Sequence, residues 1–303
     1  MKNRWQSCLF PELPMKESVK YLLAVGLLLL LLPFLLTVML SGKDAVEVSK
    51  NIDLEMLLPS VLYREIPDDA QDEMIRAQAV LIRSRLYLRI QNGEAASVLK
   101  ENRDYEASQF MDAERMERCR QAAADTEGMV LTYAGQVVEG PFCACSSGKT
   151  RDGMEVMGLE EYAWLVSVDS AVDVESPEYL SGVLFSPEEL WKKLSDATGD
   201  LSLKAEEIFG QISIAARDSA GYVTEVQIGE SRMSGEAFRK LLELPSACFS
   251  IQELDGNIRF LCQGAGHGLG MSQYGANALA EEGKTWKEIL TCYFPKTEVK
   301  LRV

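Results

Sequence analysis

The sequence is poor in the residues that build metal sites, disulfide frameworks and nucleic-acid surfaces. A single histidine in 303 residues excludes any site that needs several imidazoles from one chain. Seven cysteines are too few for a disulfide scaffold, and their odd number leaves at least one thiol without an intramolecular partner. With 31 lysines and arginines against 46 acidic residues, the net charge of −15 repels phosphate backbones, and we expect no nucleic-acid partner.

The sequence also lacks internal repeats and low-complexity tracts, which excludes solenoids and repeat arrays. Hydrophobic residues make up 47% of the chain and charged residues 25%, a balance typical of a folded globular protein. The excess of acidic residues is explained most simply by solubility. It also favours a neutral substrate over a charged polymer.

An apolar run near the N-terminus predicts a membrane anchor. Residues 21–40 contain no charge, and twenty residues of helix cross a hydrocarbon core of roughly 30 Å. Four basic residues precede the run, so we expect a cytoplasmic tail over residues 1–20 and an external chain after a polar stalk, residues 41–51. A cleaved signal peptide is the alternative, but the run is longer than the apolar region of such peptides.

The first part of residues 52–303 has helical periodicity. Residues 54–64 predict a short helix that Pro59 interrupts, and residues 68–69 open a longer helix that ends at residues 92–93. Apolar or small residues recur along the longer helix at spacings of three and four, which indicates one buried face. This stripe consists of Met74, Ala77, Leu81, Ser84 and Leu88.

Strand signals fill the middle of the domain and helical signals return at its end. Two short runs around Ala134 and Gly135 predict a hairpin over residues 129–142. Further strands are predicted at 212–216 and 222–228, and further helices at 187–195, 234–244 and 272–282, with a capping box at 285–288. Helices from both ends around a strand-rich middle indicate an α+β domain, with an inserted α/β subdomain over about residues 160–255.

A glycine-rich stretch, residues 264–276, is the first candidate for a functional site. Four alternating glycines allow the backbone to turn tightly and to approach a ligand closely, and the helix that follows begins with unpaired N–H groups. Phosphate binding is one interpretation, but the spacing does not match a P-loop. The alternative is that these glycines allow close packing and that His267 is a core histidine.

The same stretch resembles a known family. Residues 266–295 (GHGLGMSQYGANALAEEGKTWKEILTCYFP) are similar to the C-terminal signature of stage II sporulation protein D, the SpoIID/LytB domain family. Other motifs resemble the family's patterns in the same order, namely residues 61–67 with 76–84, residues 142–150 and residues 234–239. The resemblance covers nearly all of residues 50–300, and an N-terminal anchor agrees with it.

The resemblance implies a lytic transglycosylase that cleaves peptidoglycan glycan strands during engulfment of the forespore. Its catalytic residue would be Glu65, which acts first as general acid and then as general base, because the 6-hydroxyl of the sugar itself attacks the anomeric carbon. The apolar neighbours Tyr63 and Ile66 would raise the pKa of Glu65. Without the resemblance, a solvated carboxylate at a helix end is the default interpretation.

Several polar side chains in the matching motifs are candidates for substrate binding: Ser146, Ser147, Thr150, His267, Ser272, Gln273 and Tyr274. Small hydroxyl groups can bind sugar hydroxyls, while Gln273 and Tyr274 could contact glycan through an amide and a stacked ring. A plain turn is the alternative for the serines. We expect Gln78 and Arg83 to be buried groups that brace the loop presenting Glu65.

Two departures from the family pattern concern metal binding. Cys143 stands where many relatives have histidine, and Cys145 would face the same side of a strand, so a zinc site or a thiol nucleophile paired with His267 is an alternative. Some relatives carry a Cys/His cluster that binds zinc, but residues 102–108 (NRDYEAS) contain neither residue. We therefore expect no metal and no cofactor.

The implied setting is the mother-cell membrane facing the forespore. Implied partners are a peptide-removing amidase and membrane proteins of the engulfment complex. Two rival functions remain: a catalytically silent scaffold that binds glycan within the same machinery, and a hydrolase that depends on Cys143.

Overall fold

The computed structural model describes residues 31–32, 53–108, 111–198 and 204–302. The predicted tail and stalk lie outside these ranges, as does the predicted membrane segment except for Leu31 and Leu32, which are helical. Within the described ranges, no helix has both the length and the apolar character needed to cross a membrane. Asp53–Val303 form one compact unit.

Helices predominate in the first and the last parts of the sequence of this unit. The α-helices in chain order are α1 (Leu54–Glu65), α2 (Asp72–Gln91), α3 (Ala95–Ser108), α4 (Ala113–Asp125), α5 (Gly153–Met157), α6 (Pro187–Thr198), α7 (Ile208–Gln211), α8 (Gly235–Leu241), α9 (Gln273–Glu281) and α10 (Trp286–Tyr293). Short 3-10 helices cover Glu160–Tyr162, Ala171–Glu175 and Ala205–Glu207.

The strands form small sheets between these helices. They are β1 (Met129–Tyr133), β2 (Gln136–Val137), β3 (Phe142–Cys143), β4 (Leu180–Phe185), β5 (Ile212–Arg217), β6 (Val223–Ile228), β7 (Ser231–Ser234), β8 (Phe249–Leu254), β9 (Asn257–Gln263), β10 (Met271–Ser272) and β11 (Glu298–Leu301). The sheet orders are β11-β1-β2, β4-β9-β8, β5-β6-β7 and the pair β10-β3. This mixture of helix and strand agrees with the predicted α+β class.

Helix α2 is the centre of the main hydrophobic core. The predicted stripe is buried except for Leu88, which is half-buried, but burial extends to other faces, including Ile75 and Val80. Helices α1, α4, α9 and α10 and strand β1 all contact α2. A helix covered on several sides cannot show a clean one-face pattern, so the sequence predicted only part of its burial.

One predicted helix interruption and one predicted helix start were wrong. Pro59 does not interrupt α1, which continues to Glu65. A proline inside a helix costs about 3 kcal/mol, whereas burial of Leu58 and Leu62 stabilises the helix by about 1.5–3 kcal/mol each. Helix α2 begins at Asp72 rather than at residues 68–69, because the segment after Pro67 is held in a separate loop.

The predicted hairpin and the predicted capping box are confirmed. Strands β1 and β2 pair antiparallel around Ala134 and Gly135, both of which have positive φ. Thr285 and Glu288 cap α10 reciprocally. Phe142, however, belongs to β3, which pairs in parallel with β10. This short pairing joins the first half of the domain to its C-terminal part.

A second hydrophobic core lies between Phe185 and Cys262 in sequence. Three aromatic rings at its centre, Phe238, Phe249 and Phe260, have centroids 5.5 to 5.7 Å apart. Sheets β4-β9-β8 and β5-β6-β7 surround it together with α6 and α8. The grouping of Asp53–Val303 in one compact unit does not divide this second core from the first. The separate subdomain over about residues 160–255 therefore stays a prediction.

Arg83 is a buried bracing group, but it does not brace the loop after Glu65. Its guanidinium donates to both carboxylate oxygens of Glu55 at 2.7 and 2.9 Å, at the start of α1. It also donates to the backbone carbonyls of Ala123 and Met129, at 3.0 and 3.1 Å. Gln78 is fully buried, and its side-chain amide has no hydrogen-bond partner within the described ranges.

We expect Arg83→Ala to lower the free energy of unfolding by about 3–5 kcal/mol, because the change leaves Glu55 and two carbonyl groups without their donor. The measurement is chemical denaturation of the purified chain. Arg120→Ala is the control, since the Arg120–Glu117 pair is exposed and should contribute less than about 1 kcal/mol. Equal losses for the two variants would contradict this prediction.

Candidate active site

Glu65 is the last residue of α1 and lies in the wall of a cavity of about 270 Å³. Its side chain is 17% exposed, so the carboxylate can be reached from the cavity. The residues that line this cavity come from α1, α2 and α3 and are Val61, Arg64, Glu65, Arg85, Leu86, Arg89, Val98, Glu101 and Asn102. The cavity therefore combines aliphatic side chains with charges of both signs.

The carboxylate of Glu65 contacts two guanidinium groups. Nη2 of Arg64 donates to Oε1 at 2.9 Å, and Nη2 of Arg85 donates to Oε2 at 2.5 Å. Arg85 also lies over the ring of Phe142, 5.4 Å from its centroid. The carboxylate therefore contacts charged groups rather than the apolar neighbours expected from the sequence, and one of the two, Arg85, lies 20 positions away in the chain.

The backbone at Glu65 is held by side chains from two other helices. Nε2 of Gln273, the first residue of α9, donates to the carbonyl oxygen of Glu65 at 2.7 Å. Nη2 of Arg115 in α4 donates to the carbonyls of Tyr63 and Ile66 at 2.9 and 2.7 Å. Carbonyl groups at a helix end have no intrahelical donor, and cations are favourable there. These contacts fix the position of Glu65.

A second carboxylate, Glu101, lines the same cavity. Both of its oxygens accept hydrogen bonds from Arg89, at 2.8 and 2.9 Å. The hydrogen bond from Arg89 is the main cause that lowers the pKa of Glu101 to about 2. Glu101 is thus ionised at neutral pH and cannot donate a proton. The sequence did not single out Glu101, Arg85 or Arg115, because their roles depend on tertiary contacts.

The predicted sugar-binding hydroxyl groups of the 142–150 motif point mainly into the protein. Ser146 is fully buried and donates to Asp173. Thr150 is also fully buried, and its Oγ1 accepts from the backbone N–H of Val168 at 2.9 Å. Ser147 is half-buried, and its Oγ donates to the carbonyl of Ala220 at 3.3 Å. Substrate binding by these residues stays a prediction. Their contacts favour a role in holding neighbouring loops in place.

The residues at the start of α9 differ in burial: two are buried and hold neighbouring segments, and one is half-buried. Ser272 is fully buried, and its hydroxyl donates to Asp173 at 2.7 Å. Gln273 contacts Glu65 through its side chain, as described above. Tyr274 is half-buried, and its backbone N–H donates to the carbonyl of Ala144 at 3.0 Å. The structure thus brings Gln273 and Glu65 together and links Ser146 to Ser272 through Asp173.

The alternating glycines of residues 264–270 serve close packing. Gly268 and Gly270 have positive φ, which disfavours any other residue. A Cβ atom at Gly270 would lie 1.9 Å from the carbonyl oxygen of Pro141, and one at Gly268 would lie 2.3 Å from the ring of Tyr222. The stretch approaches protein atoms on both sides, which supports the packing interpretation of the glycines over phosphate binding.

The sequence of the chain is similar to that of a known protein family. A family model described as stage II sporulation protein, SpoIID, matches residues 42–133. Stage II sporulation protein D of Bacillus amyloliquefaciens is 30% identical over 82% of this chain and 75% of its own. The chain belongs to the stage II sporulation protein D family. The resemblance seen in the sequence motifs is therefore confirmed.

Two further proteins are similar to this chain. Stage II sporulation protein D of Bacillus subtilis (strain 168) is 29% identical over 82% of this chain and 75% of its own length. An uncharacterized protein of Brachyspira hyodysenteriae is 26% identical over 84% of this chain and 69% of its own.

The cysteines that depart from the family pattern are buried. Burial raises the pKa of the Cys145 thiol to about 12 and raises that of Cys143 further. Both thiols are therefore protonated at neutral pH, which disfavours them as nucleophiles or metal ligands. Across the described part of the chain, no group of three histidine, cysteine or acidic side chains is arranged to hold a metal ion.

His267 is half-buried in the glycine-rich stretch that carries the family resemblance. Its Nδ1 accepts a hydrogen bond from the backbone N–H of Leu269 at 3.1 Å, so the proton of the neutral ring lies on Nε2. Burial lowers the pKa of His267 below its usual 6.5. The imidazole is thus neutral near pH 7.

We expect the NMR titration of the one histidine in the chain to have a midpoint below 6.5, because burial disfavours the imidazolium. The unfolded chain, with a higher pKa, then binds more protons, so the free energy of unfolding falls as the pH drops below about 6.5. Denaturation of the wild type and of His267→Gln between pH 7.5 and 5 checks this. A midpoint above 6.5, or equal pH dependence in the two proteins, would show that the imidazole is not buried as described.

Proposed function

We propose that this protein is a peptidoglycan lytic transglycosylase and that Glu65 is its general acid and then its general base. The observation that carries the proposal is the position of Glu65. A carboxylate in a cavity wall, at a helix end held by Gln273 and Arg115, has the fixed and accessible geometry that proton transfer needs. Membership of the stage II sporulation protein D family supports the cell-wall substrate.

The proposed reaction needs one titratable group. Protonated Glu65 donates its proton to the glycosidic oxygen as the bond from that oxygen to the anomeric carbon breaks. The resulting carboxylate accepts the proton of the 6-hydroxyl of the same sugar, and the hydroxyl oxygen bonds to the anomeric carbon. Glu65 returns to its starting state, no water is consumed, and the product has a 1,6-anhydro end.

The two arginines at Glu65 impose a condition on this mechanism. Arg64 and Arg85 each donate to an oxygen of Glu65 in the ligand-free arrangement, whereas the first step requires one of these oxygens to carry a proton toward the glycosidic oxygen. A guanidinium must therefore move away from Glu65 when glycan enters. After proton donation the same groups stabilise the carboxylate that forms, so they assist the second step.

Glycan would occupy the cavity beside Glu65, with its apolar ring face on Val61, Leu86 and Val98. We propose that Ser147, Tyr274 and His267, which are half-buried, contact the strand farther along. The fully buried Ser146, Thr150 and Ser272 would support binding by holding the loops in place.

We propose further that residues 21–40 anchor the protein in the mother-cell membrane, with the catalytic domain facing the forespore, and that it acts in engulfment. A peptide-removing amidase and membrane proteins of the engulfment complex are the proposed partners. These proposals rest on the family, because the two similar Bacillus proteins are named for stage II of sporulation.

A catalytically silent glycan-binding scaffold is the second candidate. The observation that favours it is the pair of guanidinium contacts at Glu65, since a scaffold has no need of a protonated carboxyl group. The product analysis below separates the two functions.

We expect Glu65→Gln to reduce the formation of anhydro-ended fragments by at least about 10²-fold, because the amide keeps the shape of the side chain but cannot transfer a proton. Mass spectrometry of digested peptidoglycan measures the products, and sedimentation with insoluble peptidoglycan measures binding. Binding should be retained. A folded Glu65→Gln protein with normal turnover would remove Glu65 from the mechanism.

Glu101→Gln is the matched control, because it changes a carboxylate in the same cavity. The one-carboxylate mechanism predicts that this variant keeps most of its turnover. If both variants are inactive and the wild type forms reducing ends, the enzyme is a two-carboxylate hydrolase. If the wild type binds glycan and releases no fragments under any condition, the scaffold function is correct.

Turnover should also survive exhaustive chelation, because residues 102–108 lack cysteine and histidine, and the thiols of Cys143 and Cys145 are buried and protonated. Metal analysis of the purified protein, combined with activity before and after chelation, tests this. Stoichiometric zinc together with loss of activity in chelator would overturn the expectation.

A further inference from the structure

Asp173 carries a fully buried carboxyl group. It lies in the 3-10 helix Ala171–Glu175 and is 0% exposed. Among the described residues it forms no ion pair, unlike the buried Asp218, which pairs with Arg151 at 2.6 Å. A buried charge is costly unless hydrogen bonds compensate for the lost water. Hydrogen-bond donors around Asp173 must therefore supply that compensation.

The donors include Ser170, just before the 3-10 helix, and two serines from the motifs that flank the second core in sequence. Oδ2 of Asp173 accepts from both the backbone N–H and the hydroxyl of Ser146, the former at 2.9 Å. Oδ1 accepts from the hydroxyl of Ser272 at 2.7 Å. Asp173 thus joins the loop after β3 to the first residue before α9.

Close packing leaves α9 little freedom around this carboxylate. A Cβ atom at Gly275 would lie 2.2 Å from the hydroxyl of Tyr293 and 3.0 Å from Oδ1 of Asp173. The hydroxyl of Ser272 also accepts from the backbone N–H of Gly275 at 3.2 Å and caps the helix. The direction and register of the first turn of α9 therefore depend on the Asp173–Ser272 contact.

Helix α9 in turn holds the chain at Glu65 and just after it. Gln273 donates to the carbonyl of Glu65 at 2.7 Å. One turn later, Oδ1 of Asn277 accepts from the backbone N–H of Gln71 at 2.6 Å. A continuous series of contacts thus runs from Asp173 through Ser272 and the first turn of α9 to the backbone of Glu65.

We infer that Asp173 is a positioning residue for Glu65, acting through Ser272 and Gln273 on the backbone of the catalytic residue. The inference rests on the proposed function of Glu65. Misplacement of a catalytic group by about 1 Å can cost about 10²-fold in rate, so loss of the anchor should reduce turnover more than substrate binding.

The test is the initial rate of anhydro-fragment formation by the full chain as a function of peptidoglycan concentration. Asp173→Asn keeps the side-chain size but places an N–H donor where an acceptor is needed. We expect kcat to fall about 10- to 100-fold with KM changed less than about threefold. Ser272→Ala, which removes the hydroxyl that contacts Asp173, should give the same pattern and serves if Asp173→Asn does not fold.

Ser84→Ala is the control for general destabilisation. Ser84 is fully buried, and its hydroxyl accepts from the backbone N–H of Leu131 at 2.8 Å and donates to the carbonyl of Val80 at 2.7 Å, so neither of these partners lies in α9. Its loss should lower the unfolding temperature while leaving kcat within about twofold at a temperature where the protein is folded. A comparable loss of kcat in Ser84→Ala would show that turnover follows stability alone and would overturn the inference.

A double-variant cycle tests whether the residues act in series. If Asp173 acts through Gln273, the double variant Asp173→Asn/Gln273→Ala should lose no more kcat than the worse single variant. Losses that multiply would overturn the inference. Normal kcat in Asp173→Asn, with Glu65→Gln inactive, would also overturn it and leave the proposed function intact. Normal turnover in Glu65→Gln would instead overturn the proposed function.

Discussion

The hydrogen bond from Gln273 to the carbonyl of Glu65 is the contact on which the candidate site depends. It joins residues 208 positions apart and brings the start of α9 against the end of α1. A helix end leaves its last carbonyl groups without donors, and this one receives donors from α9 and from Arg115 in α4. These contacts hold the backbone at Glu65. They place its side chain on the cavity wall without involving the carboxylate.

Local patterns in the sequence predicted much of the fold. The β1–β2 hairpin, the capping box of α10 and the strands of the middle region follow from turn residues, caps and alternation, all of which act over a few positions. The start of α2 and the continuity of α1 through Pro59 were missed. Both depend on packing between helices, which local patterns do not contain.

The site was predicted less completely than the fold. Family resemblance pointed to Glu65 and Gln273, but not to their contact or to Arg85, which reaches Glu65 from α2. Asp173 lies outside every motif that was singled out, although its donors Ser146 and Ser272 lie inside two of them. A buried carboxylate and an exposed one have the same letter in a sequence, and only the fold distinguishes them.

The parallel pairing of β3 with β10 has a consequence for the order in which the protein becomes functional. These strands flank the whole second core in sequence, so they can pair only after that segment has been synthesised. The start of α9 must also be synthesised before the carbonyl of Glu65, at the end of α1, can accept the hydrogen bond from Gln273. A chain that stops before α9 therefore carries Glu65 without the side chain of Gln273 that holds its carbonyl group, and the activity proposed for Glu65 would have to wait for the C-terminal helices.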